Sequence, residues 1–316
     1  MVGFVSKDLK DKCVLNRPYS KVIGHRGCAG LAPENTLLGF QKAIDLGIDG
    51  IELDVHLTKD HHVIVHHDIN LNPDITKNAQ GQWIDPQANL SIRELTLSEL
   101  QNYEVGEVKP GSYTAQYYPK MISAKNQKIP TLDQVLALIQ KSQNKNLEIL
   151  IEAKASPLPE DKFSDPDILI DLILCDLKAS NLQHRARLLS FDFRSLALAK
   201  QAMPDLKTHY LTDPHWTLAS VWLREFQNLS SEINFQQFIK CHGGDCWSPY
   251  FKDRDNNYLT MQQIKMAKAE GLEVIVWTPN RVEDLQAMID LGVDGIITDR
   301  PDILLNLLKP TGDKTS

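Results

Sequence analysis

Seven side chains in four short runs could carry chemistry. His25 and Arg26 stand side by side in Gly24-His25-Arg26-Gly27, Glu52 and Asp54 alternate in Glu52-Leu53-Asp54-Val55-His56, His67 closes the run 62–67, and Glu152 and Lys154 alternate at the end of 147–154. Histidine carries a proton near neutral pH, and arginine is a fixed planar cation. Residues two apart on a strand share a face, so Glu52 and Asp54 point together, as do Glu152 and Lys154. Paired carboxylates repel and resist desolvation unless a cation joins them. An all-oxygen donor set suits Mg²⁺ or Ca²⁺. Singly, each run has a plainer reading: a hydrogen-bonded His, a surface Arg, a carboxylate facing solvent, a Glu–Lys pair along one strand. Together, three acids, two histidines, one Arg and one Lys suit hydrolysis of a phosphodiester. A divalent ion, Arg26 and Lys154 would neutralise the phosphoryl oxygens, and the two histidines would serve as general base and general acid.

Such a set needs strands that end at one place. Strand-like runs fall at 21–25, 50–56, 147–153, 186–191, 207–211, 241–246, 272–277 and 294–298, and helical patterns separate most of them. A near-repeat, DLGIDGI at 45–51 and DLGVDGI at 290–296, follows a helical stretch each time and puts Gly47 and Gly292 where a helix end needs a left-handed residue. The unit at 265–277 has the same grammar. Capping boxes are expected at Thr96, Thr131 and Thr260, and more loosely at Asn280. Eight strands alternating with helices predict a (β/α)₈ barrel, whose functional face lies at the C-terminal ends of its strands. A doubly wound sheet is the alternative, but HRGCAGLAPEN is a poor match to its Gly-rich phosphate loop.

Residues 62–67 follow the second strand after too short a link for a parallel crossover, so they predict an antiparallel hairpin. With Lys59 and Asp60 central in the turn, His67 falls opposite Glu52. With Asp60 and His61 central, it falls opposite Asp54. Either way His67 joins the carboxylates, with opposed Cβ atoms about 5 Å apart, and His66 points to the other face as a structural residue. We expect one barrel domain over 18–310 with a small insertion at 69–130, which holds Pro73, Pro86, Pro110 and the tyrosines Tyr113, Tyr117 and Tyr118. A second, helical insertion with Trp216 and Trp222 is expected at about 213–240, and a frayed end at 311–316.

The 316 residues carry a net charge of −7, which argues against bulk affinity for nucleic acid or anionic membrane. Hydrophobic content of 42% and charged content of 24% are ordinary for a globular chain. Five cysteines are too few for a disulfide scaffold. No signal peptide and no membrane span stand out, so a soluble cytoplasmic protein is expected, without stable membrane insertion. Oligomeric state is left open.

HRGCAGLAPENT (25–36), GIELDVHLTKDHHVIVHHD (50–68), IEAK (151–154), LLSFD (188–192), VWTPN (276–280) and GIITDRP (295–301) resemble, in order, the glycerophosphodiester phosphodiesterase family. The resemblance implies a barrel with a small insertion and divalent-metal-dependent cleavage of glycerophosphodiesters, such as glycerophosphocholine or glycerophosphoethanolamine, to glycerol 3-phosphate and an alcohol. It implies His25 and His67 as the acid–base pair, and Glu52, Asp54 and Glu152 as ligands of one Mg²⁺ or Ca²⁺. It also implies phosphate contacts from Arg26 and Lys154, a mouth shaped by Glu34 and Asn35, and an aromatic contact from Trp277. One segment departs from the pattern: family members often have an Arg-Thr element where this chain reads Asn72 to Asn78, and Lys77 is given no role. Attack by the glycerol 2-hydroxyl through a cyclic phosphate and direct attack by water both stay open, as does which histidine is the base.

Cys241-His-Gly-Gly-Asp-Cys246 lacks the second ligand pair of a zinc site and reads as the end of a barrel strand. Cys28 has no adjacent base to activate it. His61 and His62 belong to the hairpin tip. A phospholipase-D-type enzyme acting on lysolipids or sphingolipids is a rival, although no apolar docking loop stands out. A non-catalytic binding barrel and a hydrolase of non-phosphate substrates are further rivals.

Overall fold

The computed structural model of the chain describes residues 20–156, 163–214 and 234–309. The strands are β1 Lys21–Gly24, β2 Gly50–Leu57, β3 Val63–Val65, β4 Glu148–Ala153, β5 Ala186–Ser190, β6 Lys207–Thr212, β7 Cys246–Pro249, β8 Glu273–Trp277 and β9 Gly295–Thr298. The helices are α1 Leu37–Asp45, α2 Leu97–Leu100, α3 Tyr113–Tyr117, α4 Leu132–Lys141, α5 Pro166–Ala179, α6 Phe193–Ala202, α7 Phe235–Cys241, α8 Met261–Ala269, α9 Val282–Leu291 and α10 Pro301–Leu308. β1 pairs in parallel with both β2 and β9, and parallel pairs run from β2 through β4 to β9, so eight strands close into the expected (β/α)₈ barrel.

The two-residue period of the strands sorts the barrel interior into layers. Ile23, Leu150, Leu189, Leu211, Cys246, Ile275 and Ile297 pack together across the middle. Two residues earlier along their strands stand Lys21, Glu148, Arg187, His209 and Glu273, joined by ion pairs such as Arg187–Glu148 at 2.8 Å and Arg187–Glu273 at 3.0 Å. Two residues later stand His25, Glu152, Phe191, Trp277 and Asp299, at the mouth. The alternate residues, among them Ile51, Leu53, Val55 and Ile149, face the surrounding helices in the main core.

Helix ends follow local chemistry. Thr96 and Thr260 form capping boxes, and the Gln134 side chain accepts the Thr131 N–H. Gly47 and Gly292 have φ of 78° and 69°. Two expectations need correction. The strand expected at 241–246 begins only at Cys246, because 235–241 form the amphipathic helix α7. α9 is capped at Arg281 rather than at Asn280, whose side chain is committed elsewhere.

The hairpin also departs from both expected registers. Val55 pairs with Val65, His56 with Ile64 and Leu57 with Val63, around a turn closed by Thr58 N–H donating to His62 O at 3.0 Å. His61, with φ of 61°, completes a three-residue loop, one longer than either turn considered. Strict continuation of this register would set His67 against Leu53. β3 ends at Val65 instead, and the chain turns after His66 N–H bonds to Asp54 O at 3.0 Å. His66 is buried.

The insertion has its own small core of Leu71, Ile84, Ile92, Leu100, Val105 and Ile129, packed on Ile64 of β3. Lys77 is part of its fabric: it pairs with Glu107 at 2.6 Å and lies over the Trp83 ring at 4.6 Å. Most of the expected second insertion, including Trp216 and Trp222, lies outside the described residues, as do 1–19 and 310–316. Among the described residues no helix is long and apolar enough to cross a membrane.

Candidate active site

The predicted residues meet at the C-terminal mouth. His25 follows β1, and a Cβ at Gly24 would meet Gly27 O at 1.9 Å, so only glycine lets the chain fold back there. Arg26 is held at φ 48°, a left-handed conformation costly for a side-chain-bearing residue. Its N–H is thereby aimed at Glu52 Oε2, 2.9 Å away. The Arg26 guanidinium donates to Glu34 Oε1 at 3.0 Å and lies 3.5 Å from Asp54 Oδ2. Asn35 Nδ2 donates to the same Asp54 oxygen at 2.9 Å. Glu34 and Asn35, expected to shape the mouth, thus reach the site through Arg26 and Asp54.

Asp54 and Glu152 are neighbours across the β2–β4 pairing. Oxygens of Glu52, Asp54 and Glu152 all lie within 4.8 Å of one another. Lys154 Nζ sits 2.6 Å from Glu152 Oε1 and 2.9 Å from Asp54 Oδ1. Apart from this ion pair, Asp54 Oδ1 is buried without a hydrogen-bond partner. Burial, then the charge of Asp54, pushes Glu52 up to about 8. Burial raises Glu152 more than Lys154 lowers it. Burial acts the same way on Asp54, but Lys154, His67 and Arg26 outweigh it and hold the group well below the usual carboxylate range. Two carboxyls raised by burial and by a neighbouring like charge mark a cluster with too little positive charge beside it. The all-oxygen donors, with Asp54 Oδ1 buried and lacking a hydrogen bond, fit a divalent cation of the Mg²⁺ or Ca²⁺ type.

Each histidine is backed by a carboxylate. His25 Nδ1 bonds Asp299 Oδ1 at 2.6 Å, while its Nε2 is 3.9 Å from Glu52 Oε2. Burial depresses His25, but Asp299 outweighs it, so the imidazole holds its proton above the ordinary value. Asp299 in turn accepts from Asn280 Nδ2 at 2.6 Å, and the Asp299 N–H donates to Asn280 Oδ1 at 2.9 Å. His67 Nδ1 bonds Asp68 Oδ1 at 2.7 Å, and His56 Nε2 bonds the His67 carbonyl at 3.0 Å. Burial, then Lys154 and Arg26, pulls His67 down to about 4. In both rings Nε2 is the nitrogen left for proton exchange. Asp299 and Asp68 were not singled out beforehand, and Asn280 was read only as a loose helix cap. Asp299 and Asn280 stood in the quoted GIITDRP and VWTPN segments, and Asp68 directly follows His67.

A cavity of about 940 Å³ opens over this cluster, lined by His25, Arg26, Glu52, His67, Glu152, Lys154 and Trp277 among others. Trp277 closes one side, with its Nε1 donating to Ser248 O at 2.9 Å and its ring edge-on to Phe191 and Tyr250. Cys241 ends α7 and Cys246 begins β7, both as free thiols, and Cys28 is buried with its thiol pushed up to about 12 by that burial.

The sequence profile of the Glycerophosphoryl diester phosphodiesterase family matches residues 25–303. A glycerophosphodiester phosphodiesterase of Caldanaerobacter subterraneus subsp. tengcongensis is 31% identical over 292 residues, 92% of this chain and 98% of that protein. A Silicibacter pomeroyi crystal structure assigned to the glycerophosphoryl diester phosphodiesterases superposes with a TM-score of 0.80 at 28% identity, covering 92% of this chain and 94% of the other. An Oleispira antarctica phosphodiesterase, solved with the product sn-glycerol-3-phosphate, shares the fold with a TM-score of 0.64 at 22% identity, over 92% and 97% of the two chains. The chain belongs to the glycerophosphoryl diester phosphodiesterase family, a family of phosphoric diester hydrolases.

Proposed function

We propose that this enzyme hydrolyses small glycerophosphodiesters, glycerophosphocholine and glycerophosphoethanolamine among them, to glycerol 3-phosphate and the free alcohol, with one Mg²⁺ or Ca²⁺ held by Glu52, Asp54 and Glu152. The observation that carries the reading is the buried carboxylate trio set between two carboxylate-backed histidines. Bound there, the ion would supply Lewis-acid stabilisation of charge on the phosphoryl oxygens. Arg26 and Lys154 bind and orient the anionic diester beside it.

Hydrolysis breaks the bond from phosphorus to the head-group oxygen. One oxygen of water ends in glycerol phosphate, and its protons pass to the departing alcohol and to solvent. Attack by the glycerol 2-hydroxyl, with water opening the cyclic product, and direct attack by water make the same demand: a base at the entering oxygen and an acid at the leaving one. His25 and His67 meet it at their Nε2 atoms. Asp299 and Asp68 hold the rings in the tautomer that leaves Nε2 available, and Trp277 packs against the substrate's carbon skeleton.

The test is release of glycerol phosphate from a panel of glycerophosphodiesters with Mg²⁺ or Ca²⁺, before and after EDTA. We expect activity that EDTA abolishes and either ion restores. Full activity in chelator would remove the ion from the reading, and no release from any diester would remove the substrate class.

A further inference from the structure

Of the two histidines proposed for proton transfer, His67 has the weaker hold on the fold. His25 directly follows β1, and the three acids lie within β2 and β4. His67 stands two residues past the end of β3, beyond the last bond of the hairpin, His66 N–H to Asp54 O at 3.0 Å. Among the described residues, no backbone group bonds to the His67 backbone. A side chain does so instead: His56 Nε2 meets the His67 carbonyl at 3.0 Å. A carbonyl can only accept, so this contact places a proton on His56 Nε2.

His56 is itself firmly placed. It lies on β2, on the face that carries Glu52 and Asp54, and is 2% exposed. Its ring lies nearly parallel to that of Phe163, with 15° between the planes and centroids 6.1 Å apart. The segment behind that stack is anchored on two sides. Leu57 N–H donates to Ser164 Oγ at 2.8 Å, and Arg93 of the insertion donates to Phe163 O at 3.1 Å. His67 and Phe163 line the cavity, whereas His56 stays behind its wall. Its reach to a bound diester therefore runs through His67.

The two bonds made by His67 divide the work. Asp68 holds Nδ1 at 2.7 Å, but it is the next residue in the chain and moves with the same turn. That bond sets the ring relative to its own segment. The bond from His56 sets the segment relative to β2, the strand that carries two of the three carboxylates. Proton transfer needs the nitrogen within hydrogen-bond reach of the reacting oxygen. A misplacement of about 1 Å can cost about 10²-fold in rate.

We propose that His56 is a positioning residue for proton transfer: its Nε2–H ties the His67 carbonyl to β2 and so holds the His67 imidazole in place beside the carboxylates. The catalytic part of this rests on the function proposed above; the tie itself does not. Two substitutions of similar size and flexibility isolate the bond. His56→Gln keeps an N–H near the position of Nε2, His56→Met has no donor, and both lose the ring that stacks on Phe163. Nitrogen NMR of histidine-labelled protein follows the His67 and His25 rings, calorimetry follows Mg²⁺ binding, and kcat and KM are measured on glycerophosphocholine. His56→Met should shift or broaden the His67 ring signals and leave those of His25 in place. It should lower kcat at least about tenfold, with KM and Mg²⁺ affinity within about twofold of the parent. His56→Gln should keep the His67 signals and hold kcat within about threefold of the parent. Unmoved His67 signals in His56→Met, or an undiminished kcat, would overturn the inference. Two variants that fail alike, in turnover or in folding, would make His56 a packing residue and overturn it too. A loss of Mg²⁺ affinity in step with kcat would do the same, since the change would then act through Asp54. A parent protein that turns over no glycerophosphodiester would overturn the proposed function, and the His67 signals would still decide the tie.

Discussion

His25 offers one nitrogen to the cavity because Asp299 holds the other at 2.6 Å. Replacing Asp299 by Asn preserves shape but substitutes an amide that donates as readily as it accepts, so the ring loses its fixed tautomer. Asp299→Asn should lower kcat on glycerophosphocholine by about 10²–10⁴-fold with little change in KM. Calorimetric Mg²⁺ affinity should stay near that of the parent, because Asp299 is not among the three grouped carboxylates. A kcat within twofold of the parent would remove Asp299 from the proton path. Glu52 with Asp54 and Glu152 with Lys154 were legible as pairs because they sit two apart along strand-like runs, whereas His67 was set beside them by hairpin registers that the structure does not have. Asp299 was not legible, because its partner is 274 residues away and the two meet only when the barrel closes. Asn280 was misread for the same reason: its spacing to Glu283 resembles a cap, and only closure shows that its amide belongs to Asp299.

At the scale of elements, the strands carry opposite duties at their two ends. At the far end from the mouth, Glu273 of β8 binds Arg187 at 3.0 Å and Lys207 at 2.8 Å. Burial raises Glu273, but these partners outweigh it and bring the carboxyl to about 2. A folded-state pKa below the unfolded one gives stability that is present above about pH 4.5 and is lost as pH falls through about 2. Glu273→Gln should therefore destabilise the protein by about 1–2 kcal/mol at pH 7. The gap should narrow between pH 4.5 and 2, followed by urea unfolding of both proteins. A gap independent of pH would mean that packing, not charge, explains the loss. The eight-strand alternation was readable from hydrophobic period and glycine stops. The β2–β3 register was not, because a two-residue and a three-residue turn differ only in the backbone of His61. β7 was displaced because its four residues are too few to show a period, and the small residues before it imitate a strand end.

The whole molecule is a barrel with a second, smaller core bolted to one strand. β3 joins them: Val63 and Val65 pack into the main core, while Ile64 packs with Leu71, Ile84, Ile92 and Leu100 of the insertion. Residues 69–73, 85–86 and 89 from this unit wall the cavity, so its stability governs the pocket more than the chemistry beneath. Prolines and the gap between strands pointed to an insertion, and that stretch has a small hydrophobic core of its own, but the convergence of scattered apolar residues at the mouth was not legible. Leu37, Ile168 and Val282 are far apart in the chain and share only the end of the barrel at which their helices start. Leu100 is fully buried in the insertion core and makes no part of the barrel interior. Leu100→Ala removes about 2–5 kcal/mol of packing. If the insertion opens as a unit of its own, that loss appears as faster hydrogen exchange across 71–105, while amides of β4 and β5 keep their protection. KM for glycerophosphocholine should then rise several-fold as the wall loosens, and kcat should change less than about threefold, because the carboxylates and histidines rest on β2, β4 and the segments bonded to them. Equal loss of protection in the insertion and in β4 and β5 would mean that both cores unfold together, and the pocket wall could not be tuned apart from the barrel.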